Sequence, residues 1–211
     1  MYVVTGARAP VVDRAVAAGV DVQELAPGVL ERVVDTVTPQ PVLAVAPLLD
    51  APLDALVDAT FVVVCVDVRD PGNLGTVLRS AEAAGAAGVV CCDGSADVFS
   101  PKAVRASAGA LFHVPVVTGG DPAEVLERLG GWGLTRWGTR PRSASPYDTV
   151  DLTGPTALVL GNEAHGLPDG LAGVLDGDLC IPLSGRADSV NVGMAAAVLC
   201  FEVARQRRSW R

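Results

Sequence analysis

The sequence predicts an α/β fold in which a mostly parallel sheet is covered by helices on both faces. Three observations predict it. From residue 61 onward, short apolar runs rich in β-branched residues alternate with Ala- and Leu-rich helical patterns. The apolar runs are continuous, which is typical of strands buried on both faces. Proline and glycine mark the boundaries of the segments between them.

The predicted elements follow one another in regular order. Strands are expected at residues 61–67, 88–92, 113–117, 133–137, 156–160 and 178–183. Helices are expected at residues 73–87, 101–109, 121–129 and 190–207. Valine dominates the first strand, and the helix at 101–109 begins with proline and ends with glycine. This βα alternation favours parallel strands joined by helices.

The first 57 residues differ from the rest of the chain. Strands are expected at 2–5, 21–25 and 42–46, with a helix at 10–18. A stretch containing proline and aspartate follows, so we place a boundary between residues 57 and 58. A region this short is marginal as an independent core. We therefore expect a small, partial α/β appendage at 1–57 and one main domain at 58–211.

Composition excludes several classes of protein. Half of the 211 residues are apolar, and 24 acidic residues oppose 16 basic ones, giving a net charge of −8. A disordered chain would be less hydrophobic, and no apolar run reaches the roughly 20 residues of a membrane helix, so no membrane partner is expected. The acidic total is the opposite of a typical nucleic-acid-binding domain. Phosphate binding, however, needs only a local positive patch.

The cysteines predict free thiols in a reducing compartment. All five lie within apolar runs, and the sequence has no Cys-x-x-Cys pair: they are Cys65, Cys91, Cys92, Cys180 and Cys200. Neither of the two histidines stands at ligand spacing from another His or Cys, so no metal is expected. The N-terminus lacks a charged region followed by an apolar segment. We therefore expect a cytoplasmic protein.

Loops that follow strands are the first place to look for a site, because ligands of open α/β sheets bind beyond the carboxyl ends of the strands. The first such loop contains Asp70, Pro71, Gly72 and Asn73 and leads to Arg79. Asn73 is a residue type that favours a helix N-cap. By itself this loop predicts only a capped helix with an exposed arginine.

Two further loops carry polar residues. The second, from Leu160 to Gly166, is bordered by glycines but lacks the Lys and Ser or Thr of a Walker A loop, and the sequence has no Gly-x-Gly-x-x-Gly. The third follows Ile181, and Ser189 in it is expected to cap the last helix, with Asn191 in the first turn. Small residues follow there, so another backbone can approach this helix closely.

Together the three loops resemble the three motifs of the SpoU/TrmH family of ribose 2′-O-methyltransferases, in the SPOUT superfamily. The resemblance covers about residues 60–208. Its motifs are Asp70-Pro-Gly-Asn-Leu-Gly with Arg79, Leu160-Gly-Asn-Glu163-x-x-Gly-Leu, and Ile181-Pro-Leu with Ser189-Val-Asn-Val. The resemblance implies a deep C-terminal trefoil knot, which general topology rules would not predict.

The resemblance also implies a function. It points to an enzyme that transfers a methyl group from S-adenosylmethionine to an RNA ribose 2′-hydroxyl, with ribosomal RNA as the expected substrate. The alternatives are a tRNA or small-molecule methyltransferase and a non-catalytic RNA-binding protein of the same fold. Retention of the polar motif residues favours an enzyme. A homodimer with a shared site is expected, because family members are dimers.

Site residues are implied motif by motif. The implied catalytic residues are Asn73, Arg79, Glu163, Ser189 and Asn191. The implied cofactor-binding residues are Leu160, Gly161, Asn162, Ile181, Leu183 and Val190. The implied RNA-binding residues are Arg79, Lys102, Arg105, Arg140 and Arg142. Arg79 has two open roles: a base, which requires unusual surroundings, or a clamp for phosphate and developing oxyanion charge.

Two departures from the family pattern concern packing and RNA affinity. Gly193 stands where the family often has serine, which changes local packing. Residues 1–57 resemble only the second half of the ribosomal-protein-like RNA-binding domain with which homologues usually begin. We therefore expect weak nonspecific RNA binding that depends on shape and on the dimer.

Overall fold

The structure is a computed structural model that describes residues 1–34, 36, 38–143 and 145–208. The chain divides into two compact units, Met1–Leu48 and Leu49–Arg211. This division falls earlier than the expected boundary after residue 57. The reason is packing within the larger unit, where Leu56 is buried over Gly88 and Asp50 pairs with Val116.

The part of the smaller unit that the structure describes has a three-stranded sheet and two helices. Its elements are β1 (Tyr2–Val4), α1 (Pro10–Ala17), β2 (Gln23–Leu25), α2 (Leu30–Val33) and β3 (Val42–Leu43). The strand order is β2-β1-β3, with β1 parallel to β2 and antiparallel to β3. All three strands are shorter than predicted, and α2 was not predicted.

The larger unit contains a parallel sheet. Within the described residues it has six strands in the order β6-β5-β4-β8-β7-β9, and every neighbouring pair is parallel. They are β4 (Phe61–Cys65), β5 (Gly88–Cys91), β6 (Val116–Thr118), β7 (Thr135–Thr139), β8 (Thr156–Leu160) and β9 (Gly177–Leu179). The central strands β4 and β8 are buried throughout, as their continuous apolar runs predict.

Helices cover both faces of this sheet. They are α3 (Pro71–Ala83), α4 (Pro101–Ala106), α5 (Pro122–Gly131) and α6 (Val192–Arg207). Alternate residues of β4 point to opposite faces: Val63 joins the core that holds residues of α3 and α6, and Val64 joins the core that holds residues of α5. The predicted fold class is confirmed. Nowhere in the described chain is a helix both long and apolar enough to span a bilayer.

Helix caps correct two predicted boundaries. The N-cap of α3 is Asp70, because its Oδ1 accepts hydrogen bonds from the N–H groups of Gly72 and Asn73 at 2.6 and 3.1 Å. Asn73 therefore lies inside the first turn instead of capping it. Likewise, Asn191 caps α6 and Ser189 does not, because Asn191 Oδ1 accepts from the N–H of Gly193 at 2.9 Å.

Four strands of the larger unit, β4, β5, β6 and β9, are shorter than predicted, and the last two differ most. The strand expected at 178–183 ends at Leu179, which leaves a long loop before α6. The strand expected at 113–117 begins at Val116, after a 3₁₀ turn at Ala110–Phe112. The trefoil knot stays a prediction.

The cysteines are free and buried, as predicted. Burial raises the pKa of the Cys92 and Cys200 thiols to about 12. Thiols with such values remain protonated and unreactive at neutral pH.

Candidate functional site

The loops after β7, β8 and β9 enclose a cavity of about 430 Å³ at the carboxyl edge of the sheet. This volume lies within the range of small-molecule sites. Buried apolar side chains line part of it, among them Leu179 and Leu199, and polar groups line the remainder, among them Asn162 and Ser189. A wall of this mixed kind suits a ligand with a flat apolar body and a few hydrogen-bonding edges.

Most of the predicted cofactor-binding residues line this cavity: Gly161, Asn162, Ile181, Leu183 and Val190. Leu160 does not. It is the last residue of β8, its carbonyl accepts from the N–H of Val66 at 2.8 Å, and its side chain is fully buried in the core beneath α3 and α6. The side chain of Leu160 thus supports the loop from below, and a role for Leu160 in cofactor binding stays a prediction.

The second loop is folded tightly back on itself. A Cβ atom on Gly161 would lie 2.4 Å from the carbonyl carbon of Gly166, so the loop has no room for a side chain there. Asn162 holds the turn, because its Oδ1 accepts from the N–H groups of Ala164 and His165 at 2.9 and 3.0 Å. Its Nδ2 donates to the carbonyl of Asp67 at 2.9 Å, which ties the second loop to the first.

A chain of hydrogen bonds joins all three loops. Asn73 Nδ2 donates to Glu163 Oε1 at 2.9 Å, and Asn73 Oδ1 accepts from Asn191 Nδ2 at 2.9 Å. Three of the predicted catalytic residues, one from each motif, are thus in direct contact. Because each side chain fixes the next, the network orients the first turn of α3 and the start of α6 toward the same cavity edge.

The Glu163 carboxylate is held in its charged form. Burial by itself would raise its pKa, but hydrogen bonds from Asn73 Nδ2 and from the N–H groups of Asp70 and Arg69 outweigh it, so the pKa lies below its usual value. The two backbone bonds measure 3.0 and 3.2 Å. Glu163 therefore acts as an anion that closes the first loop against the second.

Ser189 and Asn191 lie on the third loop at the cavity. The Asn191 side chain makes two kinds of hydrogen bond: its Oδ1 caps α6, and its Nδ2 donates to Asn73. Ser189 is exposed, and within the described chain its hydroxyl has no hydrogen-bond partner. Ser189 lines the cavity, so its hydroxyl is available to a ligand there.

Arg79 stands apart from the other predicted catalytic residues. It lies six residues after Asn73, about 9 Å further along α3, and it does not line the cavity. Its side chain is exposed, and the described residues offer it no hydrogen bond or ion pair. A single chain therefore does not bring Arg79 to the network of Asn73, Glu163 and Asn191.

Three of the predicted RNA-binding cations are paired with carboxylates. Lys102 Nζ lies 2.8 Å from Asp70, Arg140 Nε lies 2.9 Å from Asp178, and Arg142 lies 3.2 Å from Asp188. Arg79 and Arg105 are exposed and have no ion pair among the described residues. Exposed ion pairs are weak, so RNA phosphates can compete for Lys102 and Arg142.

Several cavity residues were missed by the sequence reasoning. Thr139 and Pro141 flank Arg140 in the loop after β7, and His165 belongs to the second loop; all of them line the cavity. Arg140 was expected to bind RNA only. The carboxyl-edge rule could have found this loop, because it follows a strand of the same sheet. The described residues contain no group of three or more potential metal ligands.

A parallel sheet whose loops form a nucleotide-sized cavity at the carboxyl edge defines an α/β protein with a nucleotide-type ligand site. The sequence profile of the SpoU rRNA Methylase family matches residues 60–201. The chain belongs to this family.

Similar sequences and structures agree with this assignment. The chain is 38% identical over 185 residues to the 23S rRNA (guanosine(2553)-2′-O)-methyltransferase RlmP of Bacillus subtilis, covering 88% of this chain and 73% of the relative. It is 38% identical over 146 residues to the 23S rRNA (uridine(2479)-2′-O)-methyltransferase of Streptomyces viridochromogenes, covering 67% of this chain and 51% of the relative.

Two solved structures resemble the whole fold. The SpoU methyltransferase AviRb of Streptomyces viridochromogenes in complex with AdoMet superposes with a TM-score of 0.83 at 30% identity, covering 100% of this chain and 83% of that one. The AdoMet-bound rRNA methyltransferase of Sinorhizobium meliloti superposes with a TM-score of 0.78 at 32% identity, covering 99% and 80%.

Proposed function

We propose that this protein transfers a methyl group from S-adenosylmethionine to a ribose 2′-hydroxyl of ribosomal RNA. The observation that carries this proposal is the contact of one polar residue from each motif, Asn73, Glu163 and Asn191, at the edge of a nucleotide-sized cavity. The relatives that carry 23S rRNA 2′-O-methyltransferase names support the choice of RNA.

The cavity fits the cofactor. Ile181, Leu183 and Val190 offer apolar surface to a flat adenine, and the backbone of Gly161 lies at the cavity, where it can hydrogen-bond to the edges of the ring. S-adenosylmethionine supplies a methyl group on a positively charged sulfonium, which a hydroxyl oxygen can attack in line.

The residues around the cavity then have to align and activate a weakly acidic hydroxyl. We propose that the Ser189 hydroxyl, which lines the cavity, accepts a hydrogen bond from the ribose and that Asn191, the cap of α6, keeps the start of that helix beside it. Arg79 is proposed as a clamp for the phosphate next to the target ribose, because an exposed guanidinium remains charged and forms paired hydrogen bonds with phosphate.

A homodimer would complete this site. Helix α6 exposes Met194, Val198 and Phe201, which are 65%, 39% and 53% accessible and recur at helical spacing on one side. A monomer gains nothing by exposing this stripe, whereas a second copy would cover it. We propose that the partner copy brings its Arg79 to the cavity, because Arg79 does not line the cavity of its own chain.

The proposal also covers the role of the smaller unit and the cellular location of the protein. We propose that the smaller unit assists RNA binding by shape and not by charge, since residues 1–48 hold five acidic and three basic residues. A cytoplasmic location accords with the reduced, buried thiols.

The decisive experiment is to map ribose methylation after incubating the protein and S-adenosylmethionine with unmodified ribosomal RNA and, separately, with unmodified tRNA. Methylation of a defined ribose in ribosomal RNA is expected. If only tRNA is methylated, the proposed reaction is correct and the proposed RNA substrate is wrong. Calorimetric binding of S-adenosylmethionine without transfer to either RNA would instead favour a non-catalytic RNA-binding protein.

A further inference from the structure

Helices α3 and α6 approach each other closely where Thr76 faces Gly193. A Cβ atom on Gly193 would lie 3.0 Å from both Cβ and Cγ2 of Thr76, and 3.2 Å from Oδ1 of Asn191. Carbon atoms prefer a separation of about 3.5–4.0 Å. A side chain at position 193 would therefore force the two helices apart by several tenths of an ångström.

Thr76 cannot turn away to make this room. Its Oγ1 donates to the carbonyl of Gly72 at 2.9 Å, and such a bond to the preceding turn fixes the threonine rotamer. The Cγ2 methyl is thereby held against Gly193. The glycine and the branched side chain are matched in size.

The contact lies between residues that the proposed reaction needs. Thr76 comes three residues after Asn73 and three before Arg79, so the three share one ridge of α3. On α6, Gly193 comes two residues after Asn191, and the side chains of Asn191 and Asn73 are 2.9 Å apart. The separation of the helices at the contact therefore controls whether this hydrogen bond can form.

We propose that Thr76 and Gly193 are a size-matched pair of positioning residues, which hold Asn73 and Asn191 in register at the edge of the cavity. The inference rests on the proposed methyl transfer. In the described chain neither residue lines the cavity, so both act through their neighbours.

The test compares wild-type protein with three variants: Gly193→Ala, Gly193→Ala with Thr76→Ser, and Gly193→Ala with Thr76→Val. Serine keeps the hydroxyl bond and removes the crowded methyl group, whereas valine keeps the crowding and is the matched control. The readouts are Tm, Kd for S-adenosylmethionine, and kcat and KM on ribosomal RNA. Tm and the cofactor Kd do not depend on turnover.

An alanine in place of a helical glycine with room around it raises Tm by about 2 °C. We expect Gly193→Ala to lower Tm by about 2 °C instead, because of the crowding. We expect kcat to fall about fivefold through misalignment, with KM nearly unchanged. The Thr76→Ser double variant should recover part of both Tm and kcat, because it removes Cγ2 and leaves the contact with Cβ. The Thr76→Val double variant should recover neither.

Two results would overturn the inference: a higher Tm with unchanged kcat in Gly193→Ala, or equal recovery with serine and valine at position 76. Failure of the proposed function gives a different pattern. Wild-type protein that methylates no RNA would refute the methyl transfer, while recovery of Tm by serine alone would still support the size-matched pair.

Discussion

Glu163 joins two motifs that are far apart in the sequence. Its carboxylate accepts hydrogen bonds from the side chain of Asn73 and from the backbone of Asp70 and Arg69. A carboxylate with three donors already in place has little capacity left for a substrate. Its role is therefore to position the first loop and, through Asn73, the start of α6.

The substitution Glu163→Gln tests this role. The glutamine amide has one acceptor oxygen, whereas the three donors now share the two oxygens of the Glu163 carboxylate. We expect a loss of about 1 kcal/mol of stability, and the loss is small because the side chain of Glu163 is exposed. Thermal unfolding measures the loss. An unchanged Tm would show that the three hydrogen bonds do not hold the loops together.

The same residue predicts a pH dependence. Its pKa is lower in the folded state than in the unfolded chain, so its stabilising contribution is complete above the unfolded value of about 4.3 and is lost as the pH falls through the folded pKa. Tm of the wild type should therefore approach that of Glu163→Gln as the pH falls below about 4. A difference in Tm that stays constant between pH 7 and pH 3 would contradict the assignment.

Arg79 carries the sharpest catalytic prediction at the residue scale. We expect Arg79→Ala to abolish methyl transfer and to leave the Kd for S-adenosylmethionine unchanged, because Arg79 does not line the cavity of its own chain. Turnover assays and calorimetry measure the two effects. Arg14→Ala, which removes another exposed arginine from the smaller unit, is the control. Near-normal turnover in Arg79→Ala would refute the proposed role.

At the scale of elements, the second loop depends on one close backbone contact. A methyl group on Gly161 would collide with the backbone of Gly166, and backbone cannot move aside as a flexible side chain can. Gly173, in the same connection between β8 and β9, has open space around its Cα. The two glycines are therefore a matched pair for substitution.

We expect Gly161→Ala to lower Tm by several degrees, through about 1–3 kcal/mol of strain. Affinity for S-adenosylmethionine should fall about tenfold, because the loop that lines the cavity is displaced. Gly173→Ala should leave both quantities near wild type. Calorimetry and thermal unfolding check the pair, and equal effects at the two positions would argue against a special constraint at Gly161.

Elements were easier to predict than their ends. The buried strands β4 and β8 follow from continuous apolar runs, which few other structures accommodate. The start of α3 and the start of α6 were misplaced, because aspartate, asparagine and serine all cap helices well. Only the folded backbone shows that Asp70 and Asn191 point back at the N–H groups of their helices.

At the scale of the whole molecule, the exposed stripe on α6 predicts self-association. We expect Phe201→Glu to convert a dimer into a monomer, because a charge in an apolar interface is costly to desolvate. Methyl transfer should fall with the loss of the partner's Arg79, and cofactor affinity should fall less. Sedimentation measures the mass, with Val45→Glu, at an exposed valine of the smaller unit, as control. A monomeric wild type would refute the shared site.

Net charge also has to be judged at this scale. The total of −8 seems to oppose RNA binding, and several arginines are neutralised by nearby carboxylates, as Arg136 is by Asp176 at 2.8 Å. Exposed Arg79 and Arg105 remain unpaired among the described residues. RNA affinity should therefore depend on where these few charges are displayed in the assembly more than on the total.

The sequence by itself determined the fold class, the family and two of the loops that line the cavity, because apolar periodicity and short motifs are local properties of the chain. The tertiary structure alone decided that Glu163, Asn73 and Asn191 form one hydrogen-bonded network, that the loop after β7 joins the cavity, that Leu160 faces the core, and that Arg79 does not line the cavity of its own chain. Contacts between residues 90 and 118 positions apart depend on how the strands are ordered and how α6 packs on α3. No local pattern encodes those distances.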